Sequence, residues 1–107
     1  MWKGIVIEES LTNPNVLWET QLLKVKVSGE RLWHLQTVFC DKKAIEKIQK
    51  ELKVGFYAHF WDKKNLIVAF PKQAFQFKKD NAEERKKAIE YGKQQGIPEE
   101  QLTFPTE

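Results

Sequence analysis

A chain of 107 residues makes one domain, too short for two independent cores, and 41% hydrophobic with 31% charged residues is the composition of a soluble globular protein. The net charge of +3 comes from 18 basic residues set among 15 acidic ones, which gives a solvated mixed surface rather than a phosphate-binding stripe. The longest apolar runs, such as Leu66 to Phe70, fall far short of the roughly 20 residues that cross a bilayer, so no membrane association is expected.

Glu8 and Glu9 stand where a signal peptide would need its apolar segment, and the single Cys40 has no partner for an internal disulfide. A reducing cytoplasm is the expected compartment.

The alternation predicts six strands and two helices. Ile5 to Glu8 reads as a short first strand, followed by an irregular stretch around Asn13-Pro14-Asn15. Gln21 to Val27 alternates, with Leu23, Val25 and Val27 on one side and Lys24 and Lys26 on the other. Gly29 marks a hairpin turn over Ser28 to Arg31. Leu32 to Cys40 follows, with Trp33, Leu35 and Phe39 on one face and His34, Gln36, Val38 and Cys40 on the other. Asp41 reads as the N-cap of a helix with Ile45, Ile48 and Leu52 along one stripe, ending near Lys53.

Phe56 to Lys78 reads as an antiparallel meander. A three-residue loop at Asp62-Lys63-Lys64 sets Trp61 against Asn65, Phe60 against Leu66 and Ala58 against Val68. A second loop at Pro71 to Ala74 sets Phe70 against Phe75. That register gives one apolar face, on which both helices are expected to pack, and an opposite face carrying Tyr57, Ala69, Gln76, His59, Ile67, Lys78 and Trp61. Asp80 with Glu83 resembles a capping box for a helix from Asn81 to Gln95, stopped by Gly96. The predicted fold is α+β: a six-stranded, mostly antiparallel sheet in βββαβββα order, with two amphipathic helices on one face. The repeated order fits either duplication or a plain α+β arrangement, and the halves share negligible identity.

No complete catalytic, metal or phosphate-binding motif is present. Cys40 and His34, six residues apart on one strand, are separated by about 20 Å and cannot share a metal or form a nucleophile–base pair. Cys40 precedes a helix N-terminus that would lower its pKa, but Asp41 opposes this, and a small buried hydrophobe is the simpler reading. Glu8 and Glu9 point to opposite faces and make a poor acid–base pair. The isolated glycines form no phosphate loop. No cofactor is implied and no metal ligand set is assigned.

The candidate binding face is therefore Tyr57, His59 and Trp61 with Lys78 and Gln76, joined by His34 if the third and fourth strands are neighbours. Three functions fit it. The first is a non-enzymatic module that binds a partner, a second copy of the chain included, since exposed aromatic faces are usually covered. The irregular Leu11 to Thr20 segment with Trp18 is another candidate cover. The second is a small-molecule-binding protein or enzyme with a pocket on the same face. The third is weak single-stranded nucleic-acid binding, against which stand two arginines only and no ribonucleoprotein signature.

Trp2-Lys3-Gly4-Ile5 and Ile7-Glu8-Glu9-Ser10-Leu11 at one end, with Glu90-Tyr91-Gly92 and Gly96-Ile97-Pro98-Glu99-Glu100-Gln101-Leu102 at the other, resemble the two ends of a group of short, uncharacterised prokaryotic α+β proteins. The resemblance implies a stand-alone small cytoplasmic protein and brings no activity or site residue.

Overall fold

The computed structural model describes residues 1–106. Six strands, β1 (Trp2–Ile7), β2 (Gln21–Val27), β3 (His34–Cys40), β4 (Ala58–Trp61), β5 (Asn65–Ala69) and β6 (Ala74–Lys78), form one antiparallel sheet in the order β2-β3-β1-β4-β5-β6. Helix α1 (Lys42–Glu51) joins β3 to β4, and α2 (Ala82–Gln94) follows β6. The α+β architecture and element order are those predicted from the alternation. Asp41 caps α1 by accepting the Ala44 amide at 2.9 Å, while the cap of α2 is Asn81, accepting from Glu84 at 3.2 Å, one residue after the predicted Asp80.

The two helices do not share a face. α1 buries Ala44, Ile45 and Ile48 against Val6, Val38, Phe60 and Ile67, whereas α2 places Ala88 against Val68, Phe70 and Phe77 on the opposite side. Chain connectivity permits this: α1 links the two strands that flank β1 and crosses behind it, while α2 leaves the far edge strand and returns over the front. With both faces covered, every residue of β4 is buried, so its sequence cannot alternate between apolar and polar.

The β4–β5 register differs by one residue from the predicted one: Trp61 pairs with Leu66, His59 with Val68 and Ala58 with Ala69. The Asp62 carboxylate accepts from the amides of Lys64 (2.9 Å) and Asn65 (2.7 Å), closing a four-residue turn. The β5–β6 register also differs, by two residues: Phe75 pairs with Val68 rather than with Phe70, and Phe77 with Leu66. His59 and Trp61 thus share the α2 face with Leu66, Val68 and Phe77. Gln76 and Lys78 fall on the α1 face, where Lys42 Nζ donates to Gln76 Oε1 at 2.7 Å.

The three-strand groups also differ in space, since β1 pairs with β3 in the first while β4, β5 and β6 are sequential neighbours in the second. The repeated order is therefore not a repeated topology. Gly4 sits at the crossing of the central strands, where an added Cβ would lie 2.1 Å from Phe60 Cδ2; only glycine leaves room for that ring. Among the described residues no helix is long and apolar enough to cross a membrane.

Candidate functional site

After α2 the chain turns at Gly96 (φ +88°) and runs back over the α2 face of the sheet. Ile97, Leu102 and Phe104 bury there, and Gly92 on α2 admits the segment, since a Cβ at that position would meet Leu102 Cδ2 at 2.7 Å. Three further attachments fix its end. Tyr57 donates its hydroxyl hydrogen to the Gln101 carbonyl, Phe104 stands edge-on to Tyr57 at 5.5 Å, and His59 Nε2 lies 2.7 Å from the Pro105 carbonyl oxygen. Phe104 is held at φ +48°, a left-handed conformation that costs a non-glycine residue about 1 to 2 kcal/mol and persists when packing determines it.

This segment covers only the β4 side of the α2 face. Over β1 and β3 the face stays open, and the connection between β2 and β3 rises to form the other wall. Ser28 donates its amide to Trp33 O (2.9 Å), accepts the Leu32 amide (3.1 Å), and takes the Trp33 amide on its hydroxyl oxygen (3.0 Å). These bonds hold Leu32 at φ +56° and stand Trp33 on edge against Phe56, with ring centroids 5.3 Å apart. Arg31 stacks on Trp33 at 4.9 Å.

Between the walls lies a cavity of about 460 Å³. Its floor is Ile5 and Ile7 of β1 and Leu35 of β3; Tyr57, His59, Thr103 and Pro105 line one side, and Trp33 with the rim residues Glu30 and Arg31 the other. The volume is within the roughly 300–1,000 Å³ of pockets that enclose small ligands. Apart from the charged rim and the polar Ser28, Gln101 and Thr103, the lining is apolar or aromatic.

No known family model, curated protein or solved structure matches this chain.

The electrostatics of the lining follow from its burial. Burial drives the His59 pKa down to about 4, helped by the Arg85 guanidinium and opposed by the Pro105 hydrogen bond, so the imidazole is neutral at pH 7. Burial likewise raises the Tyr57 hydroxyl to about 12, which keeps it a neutral donor. The cavity presents no charged acid or base at its inner end.

Of the residues predicted for the site, Tyr57 and His59 line the cavity. Trp61 is buried behind His59, stacked on it at 5.4 Å, and does not reach the cavity. Gln76, Lys78 and His34 lie on the other side of the sheet, so the two histidines do not meet. Trp18 is exposed, and Leu11 and Leu17 of the irregular segment bury on the α1 side. The cover of the aromatic face is the C-terminal segment instead. Ile5, Ile7, Leu35, Trp33 and Arg31 escaped the sequence reading. Their one legible signal is the pairing of apolar positions on β1 with Trp33-x-Leu35, which required knowing that these strands are neighbours.

His34 forms a separate cluster with Glu8 and Glu9. Its Nδ1 is 2.6 Å from Glu9 Oε2 and 3.9 Å from Glu8 Oε2, and its amide donates to Glu9 Oε1 at 2.8 Å. The Glu9 hydrogen bond and charge raise the His34 pKa. Burial would raise the Glu9 carboxyl, but the hydrogen bonds from His34 outweigh it and hold it below the ordinary value. These three residues bring one ligand atom each within 4.8 Å of one another, the arrangement of an exposed ion pair that joins the end of β1 to the start of β3. Cys40 is buried, and burial with the Asp41 carboxylate pushes its thiol up to about 11, so the thiolate needed for nucleophilic or redox chemistry is not populated at pH 7.

Proposed function

We propose that this protein is a small-molecule-binding module whose ligand occupies the cavity between the Ser28–Trp33 connection and the C-terminal segment. The observation that carries this reading is the cavity itself: an aliphatic floor, aromatic walls and a charged rim, formed by segments pinned on both sides. A groove of about 510 Å³ beside α2 is lined by Phe75 and Tyr91 with Glu83, Lys86, Lys87, Glu90 and Gln94, a wall of mostly charged, solvated side chains rather than an apolar enclosure.

The pocket accounts for the aromatic face better than a partner does, because Trp61 and His59 are covered by the chain's own α2 and C-terminal segment. Binding without catalysis fits the lining, in which no charged acid, base or activated nucleophile stands at the inner end.

The test uses the neutral fluorescent probe N-phenyl-1-naphthylamine with the native protein and a Leu35→Trp variant that fills the cavity from its floor. Saturable one-to-one binding that is lost in the variant, with the thermal unfolding midpoint kept, is expected. Equal binding by the two proteins would place the probe elsewhere, for example on the exposed Leu22, Val25 and Val27 of β2, and would refute the reading.

A further inference from the structure

His59 is the one buried side chain of the cavity with a hydrogen-bonding atom to spare. Its Nε2 faces the Pro105 carbonyl, which can only accept, so Nε2 carries the ring proton and Nδ1 is left as a bare acceptor. Among the described residues Nδ1 has no hydrogen-bond partner, yet no buried side-chain nitrogen or oxygen lacks one. Nδ1 therefore keeps contact with solvent. His59 itself is only 4% exposed, and the solvent space it lines is the cavity. An acceptor fixed by its partner on one side, backed by Trp61 on its ring face and opening into an apolar space, is a directional element in an otherwise undirected pocket.

We infer that His59 Nδ1 selects the ligand of this cavity by accepting a hydrogen bond from it, and that the ligand is a neutral flat aromatic molecule bearing one donor, a phenolic hydroxyl or ring N–H. The inference rests on the proposed binding function and narrows it to a ligand class. A carboxylate or phosphate would set its lone pairs against that of Nδ1. A cationic donor at His59 would be opposed by the same Arg85 charge that opposes protonation of the imidazole, Arg85 lying over Phe104 at 5.9 Å and Phe104 6.2 Å from the His59 ring. Flatness follows from Trp33, Tyr57 and His59, whose rings present slots to a planar body better than to a branched one.

The experiment compares 2-naphthol with naphthalene, which has nearly the same shape and no donor, by amide chemical-shift titration of the full chain. Naphthol is expected to bind roughly two- to tenfold more tightly, the gain from one neutral hydrogen bond, and this preference is expected to vanish in His59→Phe while naphthalene still binds. The His59 Nδ1 resonance of the native protein should shift with naphthol and not with naphthalene, a readout that does not depend on the variant folding. Equal affinities with an unmoved Nδ1 would overturn the inference and leave the pocket reading standing. Binding of neither compound, with no shifts at Ile5, Ile7 or Leu35, would overturn both.

Discussion

Acidification provides a direct probe of His59. In the unfolded chain its imidazole takes up a proton at the ordinary value of 6.5, whereas in the fold it does so only at about 4. Between these limits the unfolded state binds more protons, so stability rises with pH: the contribution is fully present above pH 6.5 and is lost as pH falls through 4. That difference corresponds to roughly 3 kcal/mol overall, of which about 2 kcal/mol is lost between pH 7 and 4.5. The other shifted groups act at the edges of this window and equally in the native protein and in a His59 variant, so they cancel in the comparison of the two. His34 is raised, so its contribution is complete below 6.5 and declines only above it. Glu9 and Asp62 are lowered from 4.5 and 3.8, and their contributions are lost below those values. Urea denaturation followed by circular dichroism at pH 7, 5.5 and 4.5 should therefore show a decline of about 2 kcal/mol in the native protein. His59→Phe should be less stable at pH 7, lacking the Pro105 hydrogen bond worth about 1 kcal/mol, but nearly flat over the same range. An equal decline in the variant would refute the assignment of the buried neutral imidazole.

Three further outcomes test the packing and the alternatives. Gly4→Ala drives a methyl to within 2.1 Å of Phe60 at the centre of the sheet and should cost about 1 to 3 kcal/mol in chemical denaturation. Val68→Asp buries an unpaired carboxylate at a fully buried position between α2 and the sheet; a loss above about 4 kcal/mol or an insoluble product is expected, and a soluble variant with unchanged melting temperature would show the α2 face to be wrongly placed. Labelled single-stranded oligonucleotides should show no binding by fluorescence anisotropy at physiological salt, because Trp61 is buried and Tyr57 is committed to Gln101 and Phe104, leaving no stacking platform from that face.

What was legible in the sequence was whatever depends on neighbours along the chain. β2 has the predicted bounds because lysines alternate with aliphatic residues at an edge, and α1 starts at its predicted cap because Asp41 can reach the Ala44 amide. The β4–β5 register was not legible. Alternation fixes register only where one face is polar, and here Phe60 and Ile67 bury on one face while His59, Trp61 and Val68 bury on the other. A slip by one residue leaves both faces apolar, so the Asp62 turn decides the matter rather than hydropathy. The same ambiguity placed Gln76 and Lys78 beside His59 when they belong behind it. Tyr57 and His59 were recognisable as an aromatic pair, but the cavity depends on the last residues described. Leu102 and Phe104, two apolar positions in a short irregular segment, carry no periodic signal, and the function of Gly92 as their seat shows only in three dimensions.

The central claim is that a small aromatic ligand sits on the floor made by β1 and β3. Intermolecular nuclear Overhauser effects between 2-naphthol and the methyl groups of the protein measure this directly. Contacts to Ile5, Ile7 and Leu35 are predicted; contacts confined to Leu22, Val25 and Val27 on the exposed edge strand, or none at a saturating concentration, would contradict it.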